Sequence, residues 1–164
     1  MLITNNLGYP RVGPFRELKK ANEAYWAKKI SQEELLETAK SIREANWKLQ
    51  QDHGIALIPS NDFSFYDQVL DLSLTVGAIP ARYESLLNKA DGDYSLDLYF
   101  ALARGFQAEG VDVTAMEMTK WFDTNYHYMV PEFTKDQTFK LTSEKFLKEY
   151  NEAKALGLDT KPVL

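Results

Sequence analysis

The sequence predicts a helix-rich α/β fold. Three observations carry this: apolar residues recurring at helical spacing, short apolar or alternating runs between those stretches, and Ser and Gly residues where helices would start and stop. In chain order, Leu2-Ile3-Thr4 reads as a short strand, and a rigid Gly/Pro loop follows from Gly8 to Pro14. Pro14 suits a first helical position, so the first helix is expected to begin there, with Arg16, Lys19 and Lys20 projecting from one face. Ser31-Gln32-Glu33-Glu34 has the form of a capping box. A second helix follows it, with Leu35, Ala39, Ile42, Ala45 and Leu49 as its apolar stripe and Gly54 as its stop.

Ile55 to Ile58, just before Pro59, reads as a buried strand, and Phe65, Val69, Leu72 and Val76 place a helix between Ser64 and Val76. Pro80 and Asp91-Gly92-Asp93 mark turns, and Ser95 caps a helix through Leu98, Leu102 and Ala103 that closes near Gly105. Val111 to Met116 alternates as a strand does, which puts the segment Lys120 to Tyr128 at its carboxyl end. Ser143 is expected to cap a last helix bearing Phe146, Leu147 and Tyr150, ended by Gly157, after which Lys161 to Leu164 opens another strand. Neither a repeat nor a low-complexity linker divides the chain, so one domain is expected.

Composition narrows the function. The 164 residues are 45% hydrophobic and 13% aromatic, enough for a packed core. Lys and Arg number 19 against 24 Asp and Glu, a net charge of −5 that argues against bulk binding to nucleic acid or an anionic membrane. Without a long apolar run or a secretory leader, a cytoplasmic location is the default. Cysteine is absent, which excludes disulfides, a thiolate nucleophile and any Cys-containing zinc site within these residues.

The basic start of the first helix is the most informative local feature. A helix N-terminus already carries partial positive charge and unpaired N–H groups, so Arg16, Lys19 and Lys20 there are unfavourable unless an anion is received. A solvated basic face is the alternative. Lys120 stands before Trp121, Phe122, Tyr126 and Tyr128, a grouping suited either to an anionic ligand with a flat apolar part or to a packed aromatic cluster. Asp62, Asp67 and Asp71 invite a metal but lack a third ligand at motif spacing, so solvation or capping is expected. His127 reads as a hydrogen-bonded structural residue, and His53 as a partner for a helix C-terminus. Trp26, Trp47 and Trp121 are expected in the core. No hydrolase triad, P-loop or dinucleotide motif is present.

Three blocks carry a resemblance over essentially the whole chain: Asn5 to Trp26 with Leu7-Gly8-Tyr9-Pro10-Arg11 and Arg16-Glu17-Leu18-Lys19-Lys20, then Ile58 to Asp71, then Glu117 to Tyr128. In order and spacing they resemble the N-terminal part of the cobalamin-independent methionine synthase family. The resemblance implies the first part of an N-terminal (β/α)8 (TIM-type) barrel, incomplete in this chain, with residues 1–164 as one partial domain. About four strand candidates cannot close a barrel that needs eight.

The resemblance further implies that Arg16, Glu17, Leu18, Lys19 and Lys120 bind the glutamate tail of 5-methyltetrahydropteroyltri-L-glutamate, the donor of a methyl group to L-homocysteine. Catalytic and metal-binding residues are expected to be absent here. The family's zinc and its cysteine, histidine and glutamate ligands belong to the C-terminal half, a further partner of this segment, so no turnover is expected from the chain alone. The alternative is a noncatalytic binding or oligomerising module, self-associating through an open sheet edge.

Overall fold

The structure is a computed structural model that describes residues 2–87, 95–108 and 110–164. Its helices are α1 (Glu17–Trp26), α2 (Gln32–Asp52), α3 (Gln68–Thr75), α4 (Leu96–Arg104) and α5 (Lys145–Ala155), with a 3-10 helix over Ala81–Leu86. Its strands are β1 (Ile58–Ser60), β2 (Phe106–Ala108), β3 (Val111–Val113), β4 (Met118–Lys120), β5 (His127–Met129) and β6 (Thr160–Pro162). The helix-rich α/β expectation is met, and among the described residues the strands form no closed barrel. The chain packs as two compact units, one of residues 1–65 with 145–164 and the other of residues 66–144.

Local chemistry explains the helix ends of the first unit. The Ser31 hydroxyl accepts the Glu34 N–H at 3.2 Å while the Glu34 carboxylate accepts the Ser31 N–H at 2.7 Å, the reciprocal bonds of the expected capping box. At the other end of α2 the His53 ring nitrogen Nδ1 lies 2.8 Å from the Leu49 carbonyl, and Gly54 takes φ 81°. β1 and β6 pair in parallel, with Ile58 opposite Thr160 and Ser60 opposite Pro162, and Asn5 bridges Leu57 on the opposite side. Pro59 lies inside β1, so the strand sits further along than the expected Ile55 to Ile58, while Leu2 and Ile3 are exposed and the opening segment joins the sheet through the Asn5 bridge and the Thr4 carbonyl, which accepts the Ala56 and Leu57 N–H groups. Against this sheet, Trp47, Ile58, Ala153 and Leu158 form one apolar cluster, and the Trp47 indole N–H donates to the Pro59 carbonyl at 3.0 Å.

The apolar stripe of α2 departs from expectation in its second half. Leu35, Ala39 and Ile42 are buried, but the stripe then turns to Trp47 and Gln50, leaving Ala45 and Leu49 exposed. The largest side chain decides the rotation, because its burial area outweighs that of alanine. On α5 the buried positions are Glu149 and Ala153, whereas Leu147 is exposed; α5 begins at Lys145, two residues beyond Ser143.

In the second unit, the Asp67 and Ser95 side chains cap α3 and α4 by accepting the Leu70 and Leu98 N–H groups at 2.9 and 3.1 Å. Helix α3 therefore starts after Phe65, and its buried residues are Leu70, Asp71, Ser73 and Leu74, while Leu72 is 48% exposed. α4 is buried from Leu98 through Ala103, the pattern of a helix enclosed on all sides. Of the expected strand Val111 to Met116 only Val111 to Val113 forms, and its partner is antiparallel: Phe106 faces Val113 across the β2–β3 hairpin. Alternation in sequence reports a pleat and says nothing of direction or partner. The expected turn at Asp91-Gly92-Asp93 lies outside the described residues.

Two outcomes test this packing. Gly105 has φ 78°, and a Cβ there would meet the Val113 carbonyl oxygen at 2.9 Å and the Ala115 nitrogen at 3.2 Å, both backbone atoms. Gly105→Ala is expected to destabilise the chain by at least ~1–2 kcal/mol in urea unfolding, from left-handed strain plus that collision. Arg82 forms a bidentate pair with Glu132, Nη2 to Oε1 at 2.6 Å, and this bond holds the Glu132 carboxyl below its ordinary value. A depressed carboxyl contributes stability above its unfolded value and loses it as pH falls through the folded one. Glu132→Gln is expected to lower stability at neutral pH by at most ~1 kcal/mol, since both groups are about a third exposed, and the difference should vanish in acid.

Candidate functional site

The carboxyl end of β1 gathers side-chain hydrogen bonds to three other parts of the first unit: the exit of β6, the first turn of α5 and the Gly/Pro loop. Asn61, at φ 57°, donates its side-chain amide to the Val163 carbonyl at 2.7 Å, fastening the exit of β6. The Lys145 ammonium donates to Asn61 Oδ1 at 2.8 Å and the Phe63 carbonyl at 2.7 Å and pairs with the Glu149 carboxylate at 3.0 Å, fastening the first turn of α5. Asp62 Oδ2 accepts the Tyr9 N–H at 2.8 Å and so fastens the Gly/Pro loop. Burial raises the Asp62 carboxyl above its ordinary value, against the opposing pull of the Tyr9 N–H and the Lys145 charge.

From that anchor the loop runs to the basic helix start, with a geometry the sequence reading did not anticipate. The Arg16 N–H donates to the Gly13 carbonyl at 3.2 Å, closing a tight turn with Pro14 second in it, a position proline favours. Pro14 thus belongs to this turn, and α1 begins at Glu17. Arg16 is the N-cap residue, in the left-handed conformation at φ 62° and ψ 38°, and its side chain makes no cap bond. For a residue with a Cβ that conformation costs about 1 kcal/mol or more.

The neighbouring backbone donors are partly engaged within the chain. The Leu18 N–H donates to the Val12 carbonyl at 3.2 Å, and the Phe15 N–H donates to Glu17 Oε2 at 2.9 Å. The Glu17 carboxylate lies over Gly13, at φ 80°, where an added Cβ would collide with it. Leu18 is 4% exposed and packs with Ala39, Ile42 and Phe63, pinning the helix start to the core. Arg16, Lys19 and Lys20 are exposed. Lys19 has only a loose, exposed pair with Glu23 at 3.7 Å, of negligible strength in water.

Behind the loop, Tyr9, Pro10, Val12, Gly13 and Pro14 face Ala45, Asn46 and Leu49 of α2 across a cavity of about 330 Å³. Ala45 and Leu49, expected in the core, are walls of this opening. Asn46 braces it by donating its side-chain amide to the Pro10 carbonyl at 3.2 Å.

Lys120 lies in the second unit. It ends β4 opposite His127 in an antiparallel hairpin, so it sits within a strand rather than beyond the carboxyl end of Val111 to Met116 as expected. Its side chain is exposed. Trp121 is 46% exposed rather than buried and packs edge to face against Tyr128, with ring centroids 5.4 Å apart. Phe122, at φ 50°, stands 79% exposed. The His127 ring nitrogen Nδ1 lies 3.1 Å from the Asn125 carbonyl, in keeping with a structural role.

Of the three acids weighed as metal ligands, Asp62 and Asp67 bind backbone N–H groups, and Asp67 is a buried cap rather than a solvated one. Among the described residues no three His, Asp or Glu side chains converge as a metal site. No described helix is long and apolar enough to cross a membrane. The link from Asp67 to the hairpin was missed by the sequence reading: the Tyr126 hydroxyl donates to Asp67 Oδ1 across a separation of 59 residues. Its only sequence signal was an Asp at a helix start.

Residues 3–164 match the family described as the N-terminal domain of cobalamin-independent synthase. The chain is 68% identical over 161 residues to the 5-methyltetrahydropteroyltriglutamate–homocysteine methyltransferase of Flavobacterium johnsoniae, covering 98% of this chain and 20% of that protein. It is 61% identical over 164 residues to the protein of that name from Cytophaga hutchinsonii, covering 99% and 21%, and 52% identical over 170 residues to that of Salinibacter ruber, covering 100% and 22%. The chain thus spans about a fifth of the length of these relatives. With nearly every residue inside the match, and with the Gly/Pro loop, basic cap and aromatic hairpin in place, the chain belongs to the cobalamin-independent methionine synthase family and corresponds to its N-terminal domain.

Proposed function

We propose that this chain is the folate-tail-binding part of a cytoplasmic enzyme that transfers a methyl group from 5-methyltetrahydropteroyltri-L-glutamate to L-homocysteine, forming methionine. The segment Asn5, β1 and β6, paired in parallel, is read as the opening strands of a (β/α)8 barrel. Arg16 and Lys19 offer charge-assisted bonds to carboxylates of the glutamate tail, and the family resemblance gives Lys120 of the second unit the same role. Glu17 and Leu18 shape the first of these places: Glu17 by holding the Phe15 N–H, Leu18 by anchoring α1 in the core.

The observation that carries this reading is Arg16. An exposed arginine kept in a left-handed cap, where glycine would be unstrained, is backbone strain retained beside other exposed cations, and such strain gathers at ligand clamps. A triglutamate is a ligand whose charge repays it.

Zinc in this family would activate the homocysteine thiol. The residues present do not fit a zinc site: cysteine is absent and no ligand cluster forms among the described residues. The metal and its ligands are therefore assigned to the C-terminal part of the family's chain, and the contribution of these residues is to bind and orient the distant tail. The purified 164-residue chain is expected to give no methionine from the two substrates. Turnover above the uncatalysed rate would overturn this.

Calorimetry with the triglutamate and monoglutamate forms of the methyl donor tests the binding role. The chain should prefer the longer tail, with affinity falling as salt rises, and Arg16→Ala or Lys19→Ala should each weaken triglutamate binding by ~3- to 10-fold while leaving the monoglutamate unchanged. Arg16→Gly separates function from fold: stability should hold or rise by up to ~1 kcal/mol as strain is relieved, while triglutamate affinity falls. Equal affinities for the two forms, or an Arg16→Gly chain that binds as tightly as its parent, would remove the assignment.

A further inference from the structure

The second unit contains a carboxylate that the tail-binding reading leaves unused. Asp67 is 1% exposed, and its side chain receives three donors from two parts of the chain. Oδ2 accepts the Leu70 N–H at 2.9 Å and the Met129 N–H at 3.1 Å, and Oδ1 accepts the Tyr126 hydroxyl. Its own backbone is held as well, since the Tyr99 hydroxyl accepts the Asp67 and Tyr66 N–H groups at 3.0 and 2.9 Å.

The spacing of those donors matters. Tyr126 immediately precedes β5 and Met129 ends it, so one carboxylate grips both ends of a three-residue strand. β5 has β4 as its partner, with Lys120 opposite His127 and Met118 opposite Met129. The turn between them is closed by the Trp121 N–H donating to the Tyr126 carbonyl at 2.8 Å. A two-stranded hairpin is marginal by itself, and this one leaves Trp121 and Phe122 exposed, so it needs an external tether to hold one geometry. Asp67 supplies the tether while capping α3, which ties the place of Lys120 to the start of that helix. An amide could not do the same, because Asn has one acceptor oxygen where three donors converge.

We propose that Asp67, acting through Tyr126 and Met129, is the positioning residue for Lys120. This rests on the reading that Lys120 meets the glutamate tail. Asp67 does not touch the ligand; it sets where the ammonium group stands.

Tyr126→Phe tests it, because that change deletes the bond to Oδ1, together with the long 3.4 Å bond from the Gln68 N–H, while keeping the ring and the Asp67 cap on Leu70. Two measurements on the 164-residue chain decide. In amide hydrogen exchange, residues 118–130 should exchange about tenfold faster in Tyr126→Phe, with α2 and β1 unaffected. Unchanged exchange in the hairpin would overturn the clamp. In a double-mutant cycle read by triglutamate affinity, Lys120→Ala should weaken the parent about tenfold but the Tyr126→Phe chain by only two- to threefold. A full Lys120→Ala effect in both backgrounds would overturn the positioning role and leave tail binding intact. A Lys120→Ala chain that binds like its parent, or a parent that does not discriminate the two folates, would overturn the tail-binding reading and this role with it, the clamp then being decided by exchange alone.

Discussion

The hydrogen bonds at the carboxyl end of β1 tie the Gly/Pro loop, β6 and α5 of the first unit to one strand. Within a few residues of the strand, Asn61 binds the exit of β6, Lys145 starts α5 while reaching back to Asn61 and Phe63, and Asp62 receives the Tyr9 N–H. A parallel strand ends in unpaired backbone groups, and side chains with two or more polar atoms are the economical way to satisfy several at once. The loop tethered by Asp62 then delivers Arg16 to the head of α1. Disturbing this cluster would move the cation without touching it.

On the proposed tail-binding reading, strain in the first unit and tethering in the second are two solutions to one problem. A cation meant for a ligand must not be neutralised by its own protein, yet it must not wander. Arg16 is fixed through its backbone, in a conformation set by the turn from Gly13 and by the buried Leu18 behind it, which leaves the guanidinium exposed. Lys120 is fixed through its strand, whose partner is clamped by Asp67. In each place one acid binds N–H or O–H groups: Glu17 takes the Phe15 N–H, and Asp67 takes Leu70, Met129 and Tyr126.

Local chemistry was legible wherever a residue answers to its own neighbours. The Ser31 and Glu34 box, the Ser95 cap, the Gly54 stop and the His53 contact with Leu49 all follow from bonds spanning a single turn, so sequence spacing suffices to read them. The three blocks that carry the family resemblance are legible for the same reason. Faces were less so: Leu72 and Leu147 fit a helical period yet point outward, because the neighbouring element that decides which side is inside lies far along the chain.

By itself, then, the sequence determined the class of fold, the caps at Ser31 and Ser95, the family and which side chains are chemically suited to an anionic tail, since each of these depends on residue type and short spacing. Tertiary structure alone decided that Pro14 turns the chain ahead of the helix, that Arg16 stands in a left-handed cap, that Ala45 and Leu49 border a cavity, and that Val111 to Val113 runs antiparallel to its partner. It alone joined Asp67 to Tyr126 and Met129. The reason is distance: a contact between residues some 60 positions apart leaves no periodic trace, and only the folded chain brings a buried carboxylate to the donors that satisfy it.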